Sequence, residues 1–165
     1  MKADLKKIRK IAEEVGFNDP KIQLVKSGKA TIETSIFGTI KISKTLLCAL
    51  NKNELKAILY HEIAHHKLKH LTVTPTLTLL YGLALLWLSK YMPIITIILG
   101  IAGLATFATL AQLQELEADL WAYCYAGEDL IKALIKIYRI NKWKYRLMHP
   151  SLEERLKNLG YLSFE

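Results

Sequence analysis

Thiols are scarce throughout this chain and charge is scarce in one stretch of it, and the two shortages exclude different things. The 165 residues include two cysteines, Cys48 and Cys124. They share no metal-ligand or redox spacing, which excludes a disulfide scaffold or a cysteine-based zinc finger and reads as two reduced, buried thiols. Charge is missing from one region only. From Leu71 to Gln114 there are 44 residues and one charged side chain, Lys90. Leu71–Ser89 (19 residues) and Tyr91–Gln114 (24 residues) flank that lysine. At about 1.5 Å per residue, each is long enough to cross a hydrocarbon layer of ~30 Å.

A helical hairpin buried in a soluble core is the other way to use such a segment. Two helices apolar all round would then need covering on every side. The remaining chain, about 120 residues, cannot easily do that and also build a core of its own. Two membrane spans are therefore expected over 71–113, with "LSKYMP" (88–93) as their turn and Pro93 opening the second helix. Trp87 and Tyr91 fall near that turn, where amphipathic rings suit a membrane interface. Gly100, Ala102, Gly103 and Ala105 offer small residues for close helix contact.

What charge there is follows the same partition. Residues 1–70 carry 14 Lys+Arg against 7 Asp+Glu, and residues 114–165 carry 8 of each sign. By the positive-inside tendency, both flanks and both termini lie in the cytoplasm and the turn outside, in a two-span protein of the cell membrane. The formal charge of +8 then reads as topology and affinity for the lipid bilayer. Nucleic acid is not an expected partner, because no recognition motif accompanies the basic residues. The N-terminus is charged and amphipathic and does not read as a signal peptide.

Along the flanks, "DLKKIRKIAEEVG" (4–16) puts Leu5, Ile8, Ile11, Ala12 and Val15 on one helical face. Residues 21–43 alternate with period two and break at Ser27-Gly28 and Phe37-Gly38, which predicts two or three short antiparallel strands. Asn51 and Glu54 stand at N-cap and N3 of a capping box, so a helix begins there and runs to about His70. The second span continues into "QELEADLWAYCYAG" and stops at Gly127; 128–140 is amphipathic, and a short helix follows Pro150. "RINKWKYRLM" (139–148) mixes basic and aromatic residues as an interfacial segment would. The expected fold is α+β and mainly helical. Residues 1–70 and 114–165 form one cytoplasmic domain with a small antiparallel sheet, and the hairpin 71–113 is inserted into it.

The helix from Asn51 carries "HEIAHHKLKH" (61–70). His61 and His65 differ by one turn plus roughly 40°, so both imidazoles can approach one ion. They continue the inward stripe of Leu55, Ile58 and Leu59, an odd place for ionisable groups unless a metal compensates their burial. A catalytic zinc needs three protein ligands and an open position. Glu62 is placed to take a proton from water at that position. "QELEAD" (114–119) supplies three acids. Glu115 and Asp119 share a face as an i, i+4 pair, while Glu117 points elsewhere. Glu115 can bind metal, and Asp119 can accept a hydrogen bond from the far nitrogen of a ligand histidine. The chain between His65 and Glu115 must cross a membrane an even number of times for both to reach one ion, and two spans lie between them. His66 and His70 form a further i, i+4 pair without an acid partner in sequence and read as juxtamembrane polar residues. His149, before Pro150, reads from its neighbours as a polar turn residue.

"HEIAH", the two-span segment, "ELEAD" and "HPSLEER" in that order resemble the HtpX-like membrane zinc metallopeptidases of gluzincin type, a family that also includes the CAAX prenyl endopeptidases. The resemblance covers roughly residues 30–160. It implies one Zn2+ per chain on His61, His65 and Glu115, with Glu62 as general base and Asp119 supporting a ligand. It also places His149 near the cleft, where the ring could hydrogen-bond the oxyanion. The implied function is a membrane-anchored zinc endopeptidase acting at the cytoplasmic membrane face on unfolded or membrane protein and peptide substrates, as in membrane protein quality control. Substrate is expected to lie along an edge strand within Ala30–Phe37. The competing expectations are a zinc-free membrane adaptor and a latent form of the peptidase.

Overall fold

The structure is a computed structural model that describes residues 2–142 and 149–161. Most of the basic-aromatic stretch 139–148 therefore lies outside the described residues. Among the described residues, seven helices and three strands follow in the order α1 (Lys2–Glu14), β1 (Lys21–Val25), β2 (Ile32–Thr34), β3 (Thr39–Ser43), α2 (Lys44–Ala49), α3 (Lys52–Lys67), α4 (His70–Leu88), α5 (Pro93–Ala126), α6 (Glu128–Asn141) and α7 (Leu152–Asn158).

The helix that carries the histidines starts where its capping box puts it. The Asn51 side chain accepts from the Asn53 and Glu54 amides, and Glu54 Oε2 accepts the Asn51 N–H at 2.9 Å. It does not run unbroken to His70. Leu68 closes it, and Lys69 turns left-handed at φ 61 before α4 begins.

The sheet order is β1-β3-β2, with β2 antiparallel to β3 but β1 parallel to it. The expected all-antiparallel sheet is thus mixed. The tight turn at Ser35–Gly38 pairs β2 with β3, and β1 is left to join the far edge of β3 in the same direction. Helix α2 was not anticipated. Six residues make too little periodicity to read, and the Ser43 hydroxyl that accepts the Leu46 amide at its start ends a strand as well.

One core joins α1, the sheet, α2, α3, α6 and α7 around Ile11, Ile40, Leu46, Leu59, Leu130 and Leu134, and α5 contributes Ala122 to it. Both cysteines are exposed rather than buried. Each sits two residues past a buried one, Leu46 and Ala122, which on a helix is about 200° round, on the opposite face.

Helices α4 and α5 pair antiparallel and project from this body. Gln114 Nε2 donates to Thr74 Oγ1 at 2.6 Å, and Tyr81 OH donates to the Leu99 carbonyl at 2.7 Å. Gly103 lets the Tyr81 ring in, since a Cβ there would stand 2.3 Å from Cε1. Their apolar 18-residue stretches are 0% and 11% buried. A hairpin hidden in a soluble core is thereby excluded. The chain is a membrane protein whose hairpin turns its apolar side chains outward, where lipid is the solvent that suits them.

Candidate metal centre

Helices α3 and α5 face each other, and each delivers one half of a donor set. On α3, His61 is buried and His65 mostly so; on α5, Glu115 reaches between them. His61 Nε2 and His65 Nε2 are 3.2 Å apart. Glu115 Oε2 is 3.6 Å from the first nitrogen, and Oε1 is 3.5 Å from the second. Zinc–ligand bonds of about 2.0–2.1 Å in a tetrahedron set ligand atoms about 3.4 Å apart. Each carboxylate oxygen approaches one imidazole at close to that spacing, and one donor atom from each of the three residues lies within 4.8 Å of the other two. Two imidazoles with one carboxylate are ligands zinc accepts. The residues present fit the ion.

Behind the triangle, His61 Nδ1 lies 2.9 Å from Asp119 Oδ1. Asp119 is completely buried, a costly state for a carboxylate without a cation beside it. Arg155 on α7 supplies the cation in fork geometry: Nε donates to Oδ2 at 2.6 Å, and Nη2 donates to Oδ1. That Arg155 closes the chain was not legible in sequence, because its need follows from the burial of Asp119.

The remaining predicted residues collect in one cleft of about 290 Å³, lined among others by Ile32, Thr34, Glu62, Leu71, Leu134 and His149. His149 Nδ1 is 3.4 Å from Glu115 Oε2. Burial raises the Glu62 carboxyl above the ordinary range, against the opposing influence of His61 and of the Thr34 side chain. Burial, aided by the charge of His61, holds His65 down at about 3, so its ring is neutral and ready to coordinate. At His61 burial also works downward, but the hydrogen bond and charge of Asp119, with the charge of Glu115, outweigh it and raise the ring.

Two histidines do not behave as juxtamembrane polar residues. His66 turns from the donor triangle and packs edge-on against Phe17, ring centroids 5.9 Å apart. His70 is buried beside His65, with its Nδ1 3.0 Å from His65 Nδ1 and its Nε2 3.1 Å from Glu117 Oε2. The i, i+4 pairing of His66 and His70 disappears because the chain bends at Lys69.

No curated protein matches the chain. The crystal structure of S. mikatae Ste24p has the same fold, with a TM-score of 0.74 at 21% identity. The match takes in 93% of this chain and 48% of that one, so the chain spans about half the length of that protein. The sequence pattern described as Peptidase family M48 matches residues 5–163. The chain belongs to peptidase family M48.

Proposed function

We propose that the protein is a membrane-anchored zinc endopeptidase that hydrolyses extended peptide segments at the cytoplasmic membrane face. The observation that carries this reading is the donor triangle of His61, His65 and Glu115, one ligand atom from each within 4.8 Å of the others, beside Glu62 in an open cleft. Zinc held there would supply Lewis acidity toward the scissile carbonyl and toward the attacking water. Glu62 takes the proton of that water on its carboxylate and later passes it to the leaving amine. His149, anchored at Nδ1 beside Glu115, hydrogen-bonds the developing oxyanion from the cleft wall.

Substrate binding follows from the edge of the sheet. Within the β2–β3 ladder, Ser43 N–H donates to the Thr31 carbonyl and Ser35 N–H donates to the Thr39 carbonyl, each at 2.9 Å. Residues alternate along an antiparallel strand, so the backbone groups of Ile32 and Thr34 point to the opposite, outer edge. Two residues earlier, the Asn141 side chain accepts from Ala30 N–H at 2.8 Å and donates to its carbonyl at 2.9 Å, ending the edge there. An extended peptide paired with Ile32 and Thr34 passes Glu62 and the triangle. The substrates are unfolded segments of proteins in or at the bilayer, consistent with a role in membrane protein quality control. The excess of basic residues in 1–70 supports the cytoplasmic placement of the domain and of both termini.

The test is zinc content and cleavage by the full chain in mild detergent, on an unfolded protein substrate. The wild type is expected to hold one zinc, Glu115→Ala to lose or greatly weaken it, and Glu62→Gln to keep it. Glu62→Gln should lower kcat by about 10²–10⁴-fold, the usual loss for an acid–base group. A wild type without zinc, indifferent to Glu115→Ala, would leave a membrane adaptor in place of an enzyme.

A further inference from the structure

At the border between α3 and the two long helices lies a hydrogen-bonded chain that the proposed chemistry does not use. His70, the first residue of α4, is only 8% exposed although it opens an otherwise lipid-facing helix. Its Nδ1 is 3.0 Å from His65 Nδ1, and its Nε2 is 3.1 Å from Glu117 Oε2. Glu117 lies on α5 between Glu115 and Asp119 and is 59% exposed at its side chain.

Local geometry shows that this contact is built rather than incidental. In an unbroken helix, residues five apart are separated by about 140° round the axis and their rings do not meet. His65 and His70 meet because Lys69 adopts φ 61 and ψ 21, a left-handed conformation that side-chain-bearing residues adopt at a cost. The bend starts α4 on a new axis and swings His70 back against His65. Glu117, about 200° round α5 from the metal-facing Glu115, presents its carboxylate on a different face, and the His70 ring bridges the gap.

Proton positions can be assigned from one end of the chain. His65 turns Nε2 to the donor triangle, so the lone pair belongs on Nε2 and the neutral ring carries its proton on Nδ1. That N–H donates to His70 Nδ1, which must then be the acceptor. Neutral His70 keeps its own proton on Nε2 and donates it to the Glu117 carboxylate. The three groups fit without any donor facing a donor. In the reverse assignment His65 would carry its proton on Nε2, aimed into the triangle.

We propose that His70 and Glu117 are positioning residues that hold His65 in the Nδ1–H tautomer, with its Nε2 presented for coordination. This deepens the metal-site reading and rests on it. The two histidines of the triangle would then each have a carboxylate behind them, His61 directly through Asp119 and His65 by way of His70. The second arm is assembled from the first residue of one long helix and the exit segment of the other. Metal affinity is thereby tied to how α4 and α5 pair at the membrane border.

The experiment measures zinc affinity by competition with a chromophoric chelator, on the full chain in detergent after metal stripping, together with the visible absorption of the cobalt(II) form. Wild type with one site and His65→Ala without it would secure the underlying reading. His70→Leu, which fills the space but offers no nitrogen, is then expected to weaken zinc by about 10–100-fold, the usual effect of losing such a partner. His70→Asn places an acceptor oxygen where Nδ1 stood and should recover most of the affinity and the cobalt spectrum, which a purely structural role for His70 would not produce. Glu117→Gln, at the exposed end, should fall between wild type and His70→Leu, and it carries the test if His70→Leu does not fold. Wild-type affinity and an unchanged cobalt spectrum in His70→Leu, or in Glu117→Gln should the former fail to fold, would overturn the relay while leaving the metal site standing. Absence of metal from the wild type itself would overturn both.

Discussion

Leu59 and Leu104 are the same side chain under opposite rules. Leu59, on α3, is completely buried in the core; Leu104, on α5, is 71% exposed. Both belong to helices, so helix formation does not explain the difference. The body of the molecule hides its apolar residues from water, while the hairpin displays them because lipid surrounds it. Helix α5 obeys both rules in succession. Its Pro93–Leu113 portion displays Ile94, Ile97, Ile98, Ile101 and Leu104, and its last turns bury Ala118, Asp119 and Ala122. Glu115, the proposed metal ligand on this helix, stands where one rule gives way to the other, so a single helix joins the bilayer to the candidate site.

The comparison breaks hardest at Asp119. A domain that hides apolar groups also hides this carboxylate, and Arg155 beside it is buried as well. Asp119→Ala leaves the guanidinium with only the longer 3.9 Å approach to Glu115, and the expected loss of stability is about 3 kcal/mol. Thermal unfolding of the metal-stripped protein measures it, since stripping separates fold stability from metal binding. A metal-free Asp119→Ala protein with the wild-type Tm would show that the Arg155 charge is relieved elsewhere.

Paired truncations at the two leucines sharpen the contrast. Leu59→Ala opens a cavity in the core and should cost about 2–5 kcal/mol. Leu104→Ala removes the same atoms from a side that touches detergent or lipid, and the expected change is within about 0.5 kcal/mol. Equal shifts in Tm for the two variants would mean that the outward face of α5 is covered by protein, as in an assembly of several copies.

How much of this was legible in the sequence depends on how local each cause is. The capping box at Asn51 and Glu54, the stripe that His61 and His65 continue, the stop at Gly127 and the i, i+4 relation of Glu115 and Asp119 lie within a few residues of each other. The charge-free stretches announced the hairpin because lipid acts on composition. The parallel pairing of β1 with β3 was not legible, since it depends on which edge of β3 the Ser35–Gly38 turn leaves open. His70 was misread for a similar reason. Helical spacing paired His70 with His66, and one left-handed residue at Lys69 handed it to His65 instead. Arg155 needed the burial of Asp119 to give it a purpose.

A smaller loss than that of either buried-residue variant is expected for a charge that the body tolerates at its rim. Glu54 is 2% exposed, caps α3, and takes a 2.7 Å ion pair from Lys136 on α6, whose side chain is 44% exposed. Burial works to raise the Glu54 pKa, but the Lys136 hydrogen bond, the Asn51 amide and the charges of Lys136 and Lys132 outweigh it and lower the value. A carboxyl with a lowered folded pKa contributes stability above its unfolded pKa, and that contribution fades as pH falls through the folded value. Lys136→Met removes the largest favourable influence and leaves the Asn51 amide and Lys132 alone against burial, so the Glu54 pKa rises from its wild-type position and its ionisation stabilises the fold less. Because Lys136 is partly solvated, the loss at neutral pH should be about 1–2 kcal/mol. The Tm gap between wild type and Lys136→Met should therefore narrow as pH is lowered from 7 toward 4 and the variant's Glu54 takes up its proton. A gap of constant width across that range would assign the effect to the packing of the lysine stem rather than to its charge.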